Sequence, residues 1–214
     1  AVFFSRWSRD FYSMTAKDYF ADYSVTCSYL LNKNITFDVV ASIPEVGKYK
    51  ILIVSSASCL DDGEYAALNR FIADGGIVIA SGPVGCYNRR GNKPKQPWLA
   101  QYGIDCILSE PERKGAFPPW SLQQDVMPAC SGTFQGKVAN TSEWVELTSG
   151  KGRLFWSSGR MQEKSGELLL DSLLHELTCP AVVFPEETCG GWCFRIFKNS
   201  EGRLVVHGLA ELFD

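Results

Sequence analysis

Two kinds of hydrophobic pattern alternate along this chain. Short unbroken apolar runs, AVFFS (1–5), ILIV (51–54) and IVIASG (77–82), are separated by longer segments in which apolar residues recur every three or four positions. An unbroken run of this length predicts a strand covered on both faces, as in a parallel sheet, because a strand with one face in water would alternate. The recurrence at about 3.6 residues predicts amphipathic helices. The first helix is expected from Ala16 to about Asn32, with Phe20, Tyr23, Cys27, Leu30 and Leu31 as its buried stripe. The second lies within CLDDGEYAALNRFIADGG (59–76), where Tyr65, Leu68, Phe71 and Ile72 share a face. Asp61 followed three residues later by Glu64 reads as a capping box, and Gly75-Gly76 as the stop. The third is SGELLLDSLLHELT (165–178), with a stripe of Leu168, Leu169, Leu173, Leu174 and Leu177.

Two further strands complete the pattern, FDVVAS (37–42) and Arg153 to Trp156 within GKGRLFWSSG. Strands alternating with helices through short connections predict βαβ crossovers and a doubly wound α/β sheet. Between Gly82 and Gly150 the periodicity fades into proline- and glycine-rich loops, with a short helix around WLAQYGID (98–105). The chain closes on two alternating segments, WCFRIF and RLVVHGLA, joined by KNSEG, which is a hairpin signal.

Length and charge narrow the reading. The 214 residues suit one α/β domain with an appendage, and the composition, 45% hydrophobic and 21% charged, is that of a globular protein. A net charge of −3 gives no basic footprint for nucleic acid or an anionic membrane, and no apolar run reaches membrane-spanning length. A strand-like start without methionine predicts a processed or excised piece of a longer polypeptide; the compartment stays open between cytoplasm and export. The eight cysteines include no C-x-x-C pair, and with two histidines in the chain a structural metal is not expected. They read as reduced, packed thiols ahead of a disulfide framework, with TCGGWC (188–193) able to close a small bridge in an exported protein.

The order ITFDVV (35–40), YKILIVSSASCLDDGEYAALNRFIADGGIVIASG (49–82), LAQYGID (99–105) and GKGRLFWSSG (150–159) resembles the glutamine-amidotransferase-like domain of family 42 β-galactosidases and related glycoside hydrolases, also called the β-galactosidase trimerisation domain. The resemblance covers roughly residues 1–185. It implies a flavodoxin-like, class I glutamine amidotransferase-like three-layer sandwich with a mostly parallel central sheet at 1–184. Residues 185–214 come next as a β-hairpin tail, the start of a further β domain. It also implies a non-catalytic accessory or oligomerisation role beside a separate catalytic barrel, a homo-oligomer, specifically a trimer, carbohydrate as the contact ligand, and no cofactor.

Whether the chain catalyses turns on Cys86 in IVIASGPVGCYNRRG (77–91). Amidotransferases of this kind place a cysteine on the turn directly after a central strand, where backbone amides lower its pKa and hold an oxyanion. Here that position falls on Ser81 or Gly82, Cys86 comes about four residues later, and Pro83 has no N–H to give. The candidate bases are His175 and His207. Their residues leave open, as the alternative, a cysteine-dependent amidase or hydrolase. Ser81, Tyr87, Trp98 and Trp120 are the candidate ligand-binding residues, with Phe117 in the same aromatic loops, because aromatic faces stack on sugars. A third reading, a flavodoxin-like binder of nucleotide or flavin, lacks a glycine-rich phosphate loop, although SRWSRDFYSMT (5–15) offers hydroxyls and two arginines to an anion.

Overall fold

The computed structural model describes residues 1–11, 19–109, 129–134, 137–139, 144–162, 164–177, 192–198 and 201–210. Its centre is a six-stranded sheet built from β1 (Val2–Phe3), β2 (Val39–Val40), β3 (Ile51–Ser55), β5 (Ile77–Ser81), β10 (Val145–Ser149) and β11 (Gly152–Ser157). The order across the sheet is β10-β11-β5-β3-β1-β2, and every pairing is parallel except that of β10 with β11.

The unbroken apolar runs are explained by what lies on the two faces. Successive strand side chains point to opposite sides. Leu52 and Val54, Val78 and Ala80, Leu154 and Trp156 therefore share one core with Leu68, Phe71 and Ile72 of α3 (Asp62–Ala73). The residues between them, Ile53, Ile79 and Phe155, join Val2 in a second core. That core also takes Tyr29 and Leu30 of α2 (Tyr19–Asn32) and Leu170, Leu173 and Leu174 of α4 (Lys164–Leu177). Helices thus cover both faces, giving three layers. The capping box of α3 is formed as expected: Asp61 accepts from the Glu64 amide at 2.8 Å and Glu64 accepts from the Asp61 amide at 2.9 Å.

The structure differs from the sequence reading in several places. Residues Arg6–Phe11 form a short helix, α1, within the segment read as an anion-binding loop, and its Ser8 and Phe11 are buried. In α2 the buried face is Tyr19, Asp22, Thr26, Tyr29 and Leu30, whereas Phe20 and Leu31 are each 38% exposed. The stripe is therefore turned by about one residue from the apolar one, because this helix covers a polar part of the sheet. The supposed loop region carries β6 (Tyr87–Asn88), which pairs with β4 (Cys59–Leu60), and a three-stranded antiparallel sheet of β7 (Ile104–Ser109), β8 (Ala129–Phe134) and β9 (Lys137–Ala139). The expected helix over 98–105 is a 3-10 helix at Trp98–Tyr102, ended by Gly103 at φ 74°, after which the chain extends into β7. The closing hairpin is present as β12 (Trp192–Lys198) and β13 (Leu204–Ala210), paired antiparallel. Among the described residues no helix is long and apolar enough to cross a membrane.

Candidate functional site

In an open parallel sheet the place for chemistry is the carboxyl edge, at the point where the chain reverses its direction of travel across the sheet. Here that point lies between β1 and β3, and the edge is made of serines. Ser55, Ser81 and Ser157 end three adjacent strands in register. Ser5, Ser8, Ser56, Ser58 and Ser158 come after strand ends or lie close by, and all eight are at most 3% exposed.

α2 closes this edge from above. Thr26 Oγ1 and Ser55 Oγ are 2.7 Å apart, and Ser56 Oγ donates to Asp22 Oδ2 at 2.6 Å. The other oxygen, Asp22 Oδ1, accepts from the Gln162 amide at 2.9 Å, which ties the loop after β11 to the same carboxyl group. Ser56 holds φ 47°, a left-handed conformation that costs a non-glycine residue about 1–2 kcal/mol. Burial is the main force that raises the Asp22 pKa, against the opposing pull of these hydrogen bonds and of Arg160. The Ser81 and Ser158 hydroxyls are buried and have no hydrogen-bond partner among the described residues. A serine nucleophile needs a base in contact with it. Asp22 accepts from Ser56 and Gln162, and among the described residues no base is in hydrogen-bond contact with Ser81 Oγ.

Cys86 sits in the first core, 4% exposed, and its thiol donates to Cys106 Sγ at 3.5 Å. That contact and burial raise its pKa well above the ordinary value of 9.0, the reverse of what an activated thiol requires. Three of the backbone amides near it are occupied. Gly82 donates to Ser157 at 2.9 Å, Gly85 to Ala57 at 3.0 Å and Tyr87 to Ser58 at 2.9 Å. Pro83 has no N–H, so these positions offer no oxyanion hole. His175 is exposed on α4, whose buried side chains belong to the second core. The sheet stands between it and Cys86, and the two do not meet. For His207 only the backbone is described, in β13 opposite Arg195.

The proposed sugar-facing aromatics need correction. Tyr87 is 4% exposed with its ring 5.1 Å from that of Phe11. Trp98 is 1% exposed, and its Nε1 donates to Asn69 Oδ1 at 2.9 Å. Both are core residues with no ring face open to a sugar. Trp120 and Phe117 lie outside the described residues. An open cleft of about 490 Å3 occurs beside the start of α3, lined by Asp61, Asp62, Asn88, Arg89, Arg90 and Asn92. It carries charges of both signs and no aromatic wall. Among the described residues no group of three or more His, Cys, Asp and Glu is placed to hold a metal ion. Sequence reasoning missed Asp22, Ser56 and Cys106. The one signal for Asp22 was its spacing from Tyr19, Thr26 and Tyr29, which puts two polar residues on the buried side of the helix.

No family model and no curated protein matches the chain. Solved structures do. A β-galactosidase from Bacillus circulans sp. alkalophilus is similar over 93% of this chain at 15% identity and a TM-score of 0.66, with 34% of its own length covered. Gan42B, a GH42 β-galactosidase from G. stearothermophilus, is similar over 91% of the chain at 13% identity and a TM-score of 0.60, with 32% covered. The β-galactosidase of the haloarchaeon Halorubrum lacusprofundi gives 90%, 15% and 0.61, also with 32% covered. At this identity the likeness is one of fold. The chain spans about a third of the length of these enzymes.

Proposed function

We propose that this chain is a non-catalytic accessory and assembly domain of a carbohydrate-cleaving enzyme, in which an amidotransferase-like nucleophile position has been given over to packing. Numbered along the sequence, the five parallel strands lie in the order 2-1-3-4-5, which supports a flavodoxin-like reading of the fold. On this reading residues 1–184 form the amidotransferase-like unit and the hairpin opens a further β domain. The homo-oligomer, specifically a trimer, and carbohydrate as the substrate class of the parent enzyme belong to the same proposal.

One observation carries it. The turn after β5 holds a buried thiol of raised pKa, beside amides that are already hydrogen-bonded and across the sheet from His175. Nucleophilic catalysis requires thiolate, base and oxyanion donors to converge on one open site. The fold likeness to part of several β-galactosidases supports a carbohydrate-cleaving parent enzyme.

The purified chain is assayed with L-glutamine and with 4-nitrophenyl β-galactoside, alongside sedimentation velocity. The expected result is no turnover above the blank and a species of three times the chain mass. Turnover of glutamine that disappears in Cys86→Ala overturns the non-catalytic reading, and a monomer across the concentration range overturns the assembly role.

A further inference from the structure

We propose that Cys86 and Cys106 are a disulfide-forming pair, through which a small-molecule disulfide oxidant fastens β7 to the turn after β5. The inference is independent of the proposed accessory function. It rests on the juxtaposition of two thiols from separate elements, twenty positions apart, with their sulfurs 3.5 Å from each other. Both are thiols in this structure. A disulfide bond is about 2.05 Å long, so closure asks the two sulfurs to approach by about 1.5 Å in total. Modest side-chain rotation on each side supplies a shift of that size.

The surroundings set the order of events. Cys106 is partly exposed, so an oxidant in solution reaches its sulfur first. Cys86 is 4% exposed and is reached only from within the protein. The Cys106 thiolate attacks one sulfur of oxidised glutathione, forming a mixed disulfide and releasing one glutathione. The Cys86 sulfur, after losing its proton, then attacks Cys106 Sγ and expels the second glutathione. The protein loses two protons and two electrons, and the oxidant takes up both to become two thiols. Cys59 is the competing neighbour, but it is fully buried and engaged with Ser8.

The bridge would enclose residues 86–106, including the basic residues of the cleft and the 3-10 helix. It therefore fixes one wall of the open polar cleft beside α3.

The test uses the intact chain, incubated folded with oxidised glutathione at mildly alkaline pH, then quenched in acid with alkylation of remaining thiols. Trypsin places the two cysteines in separate peptides with no other cysteine, 71–89 and 96–113. The expected result is a linked 71–89/96–113 species that dithiothreitol reverses, that Cys106→Ser abolishes and that Cys59→Ser retains. Glutathionylation of Cys106 without closure, a bridge from either cysteine to Cys59 or Cys130, or unmodified thiols after prolonged exposure overturns the proposal. Because the wild-type protein gives the primary readout, a variant that folds poorly does not decide the outcome.

Discussion

Asp22 accepts a 2.6 Å hydrogen bond from the Ser56 hydroxyl, so a carboxyl group on α2 holds a residue at the end of β3 in a left-handed conformation. The same group accepts from the Gln162 amide. One buried acid thus ties together a helix, a central strand and the loop after β11. Asp22→Ala leaves a buried hydroxyl and a backbone amide unpaired, and such groups cost about 1–3 kcal/mol each. A loss of about 2–6 kcal/mol in urea denaturation is the expected outcome.

The titration of Asp22 has a definite sign. Its folded pKa is raised from the ordinary 3.8, chiefly by burial. The folded state therefore holds its proton after the unfolded chain has lost it, and stability falls as the pH rises above 3.8. Asp22→Asn removes this dependence. The stability difference between variant and wild type is expected to move in favour of Asn as the pH goes from about 4 to about 7.

Glu64 behaves alike and can be tested without losing its cap. Burial, and next the neighbouring Asp61 carboxylate, push its pKa up from 4.5 to about 7, against the hydrogen bond from the Asp61 amide. Its contribution is complete below pH 4.5 and is lost as the pH climbs through about 7. Gln at this position still accepts from the Asp61 amide, since glutamine serves in a capping box. Glu64→Gln is expected to flatten the thermal midpoint over that window while leaving helix content by circular dichroism unchanged.

Asn69 joins α3 to the 3-10 helix. Its Oδ1 accepts from Trp98 Nε1 at 2.9 Å, Gln101 Nε2 at 2.8 Å and Tyr102 OH at 3.0 Å. Asn69→Ala orphans the buried indole N–H and is expected to cost about 1–3 kcal/mol. Asn69→Asp keeps the acceptors and should lose less, which separates the hydrogen bonds from simple side-chain volume in a denaturant series.

Gly152 accounts for part of the GKG motif. A Cβ there would come within 2.2 Å of both the Ile72 carbonyl oxygen in the last turn of α3 and the Gly76 carbonyl oxygen in the α3–β5 connection. The glycine lets β11 start flush against that turn. Gly152→Ala is expected to lower the thermal midpoint by an amount corresponding to about 1–3 kcal/mol, the range for an overpacked site.

Much of the sheet was legible because buried parallel strands and capped helices write themselves locally. ILIV, IVIASG and the Asp61–Glu64 box each depend on near neighbours in sequence, and so does α4 as a helix, although its expected stripe needs correction: Leu173 and Leu174 are buried, but Leu168 is 63% exposed and Leu170 takes the core position. β7–β9 did not show, because an antiparallel sheet set among prolines and glycines is specified by pairing across long connections such as Ile104 with Phe134. The buried face of α2 was misplaced for a related reason: Asp22 and Thr26 look like surface residues until the serine-rich edge beneath them supplies partners. The contact of Cys86 with Cys106 is likewise tertiary, and nothing in their spacing announces it.

The central claim is that the turn after β5 holds a packed thiol in place of a reactive one. The most direct measurement is the second-order rate of Cys86 alkylation by iodoacetamide at neutral pH in the folded chain, read by peptide mass against free cysteine. The account predicts labelling far slower than free cysteine and accelerated by urea. Labelling of Cys86 faster than free cysteine, with a rate that plateaus below neutral pH, would contradict it.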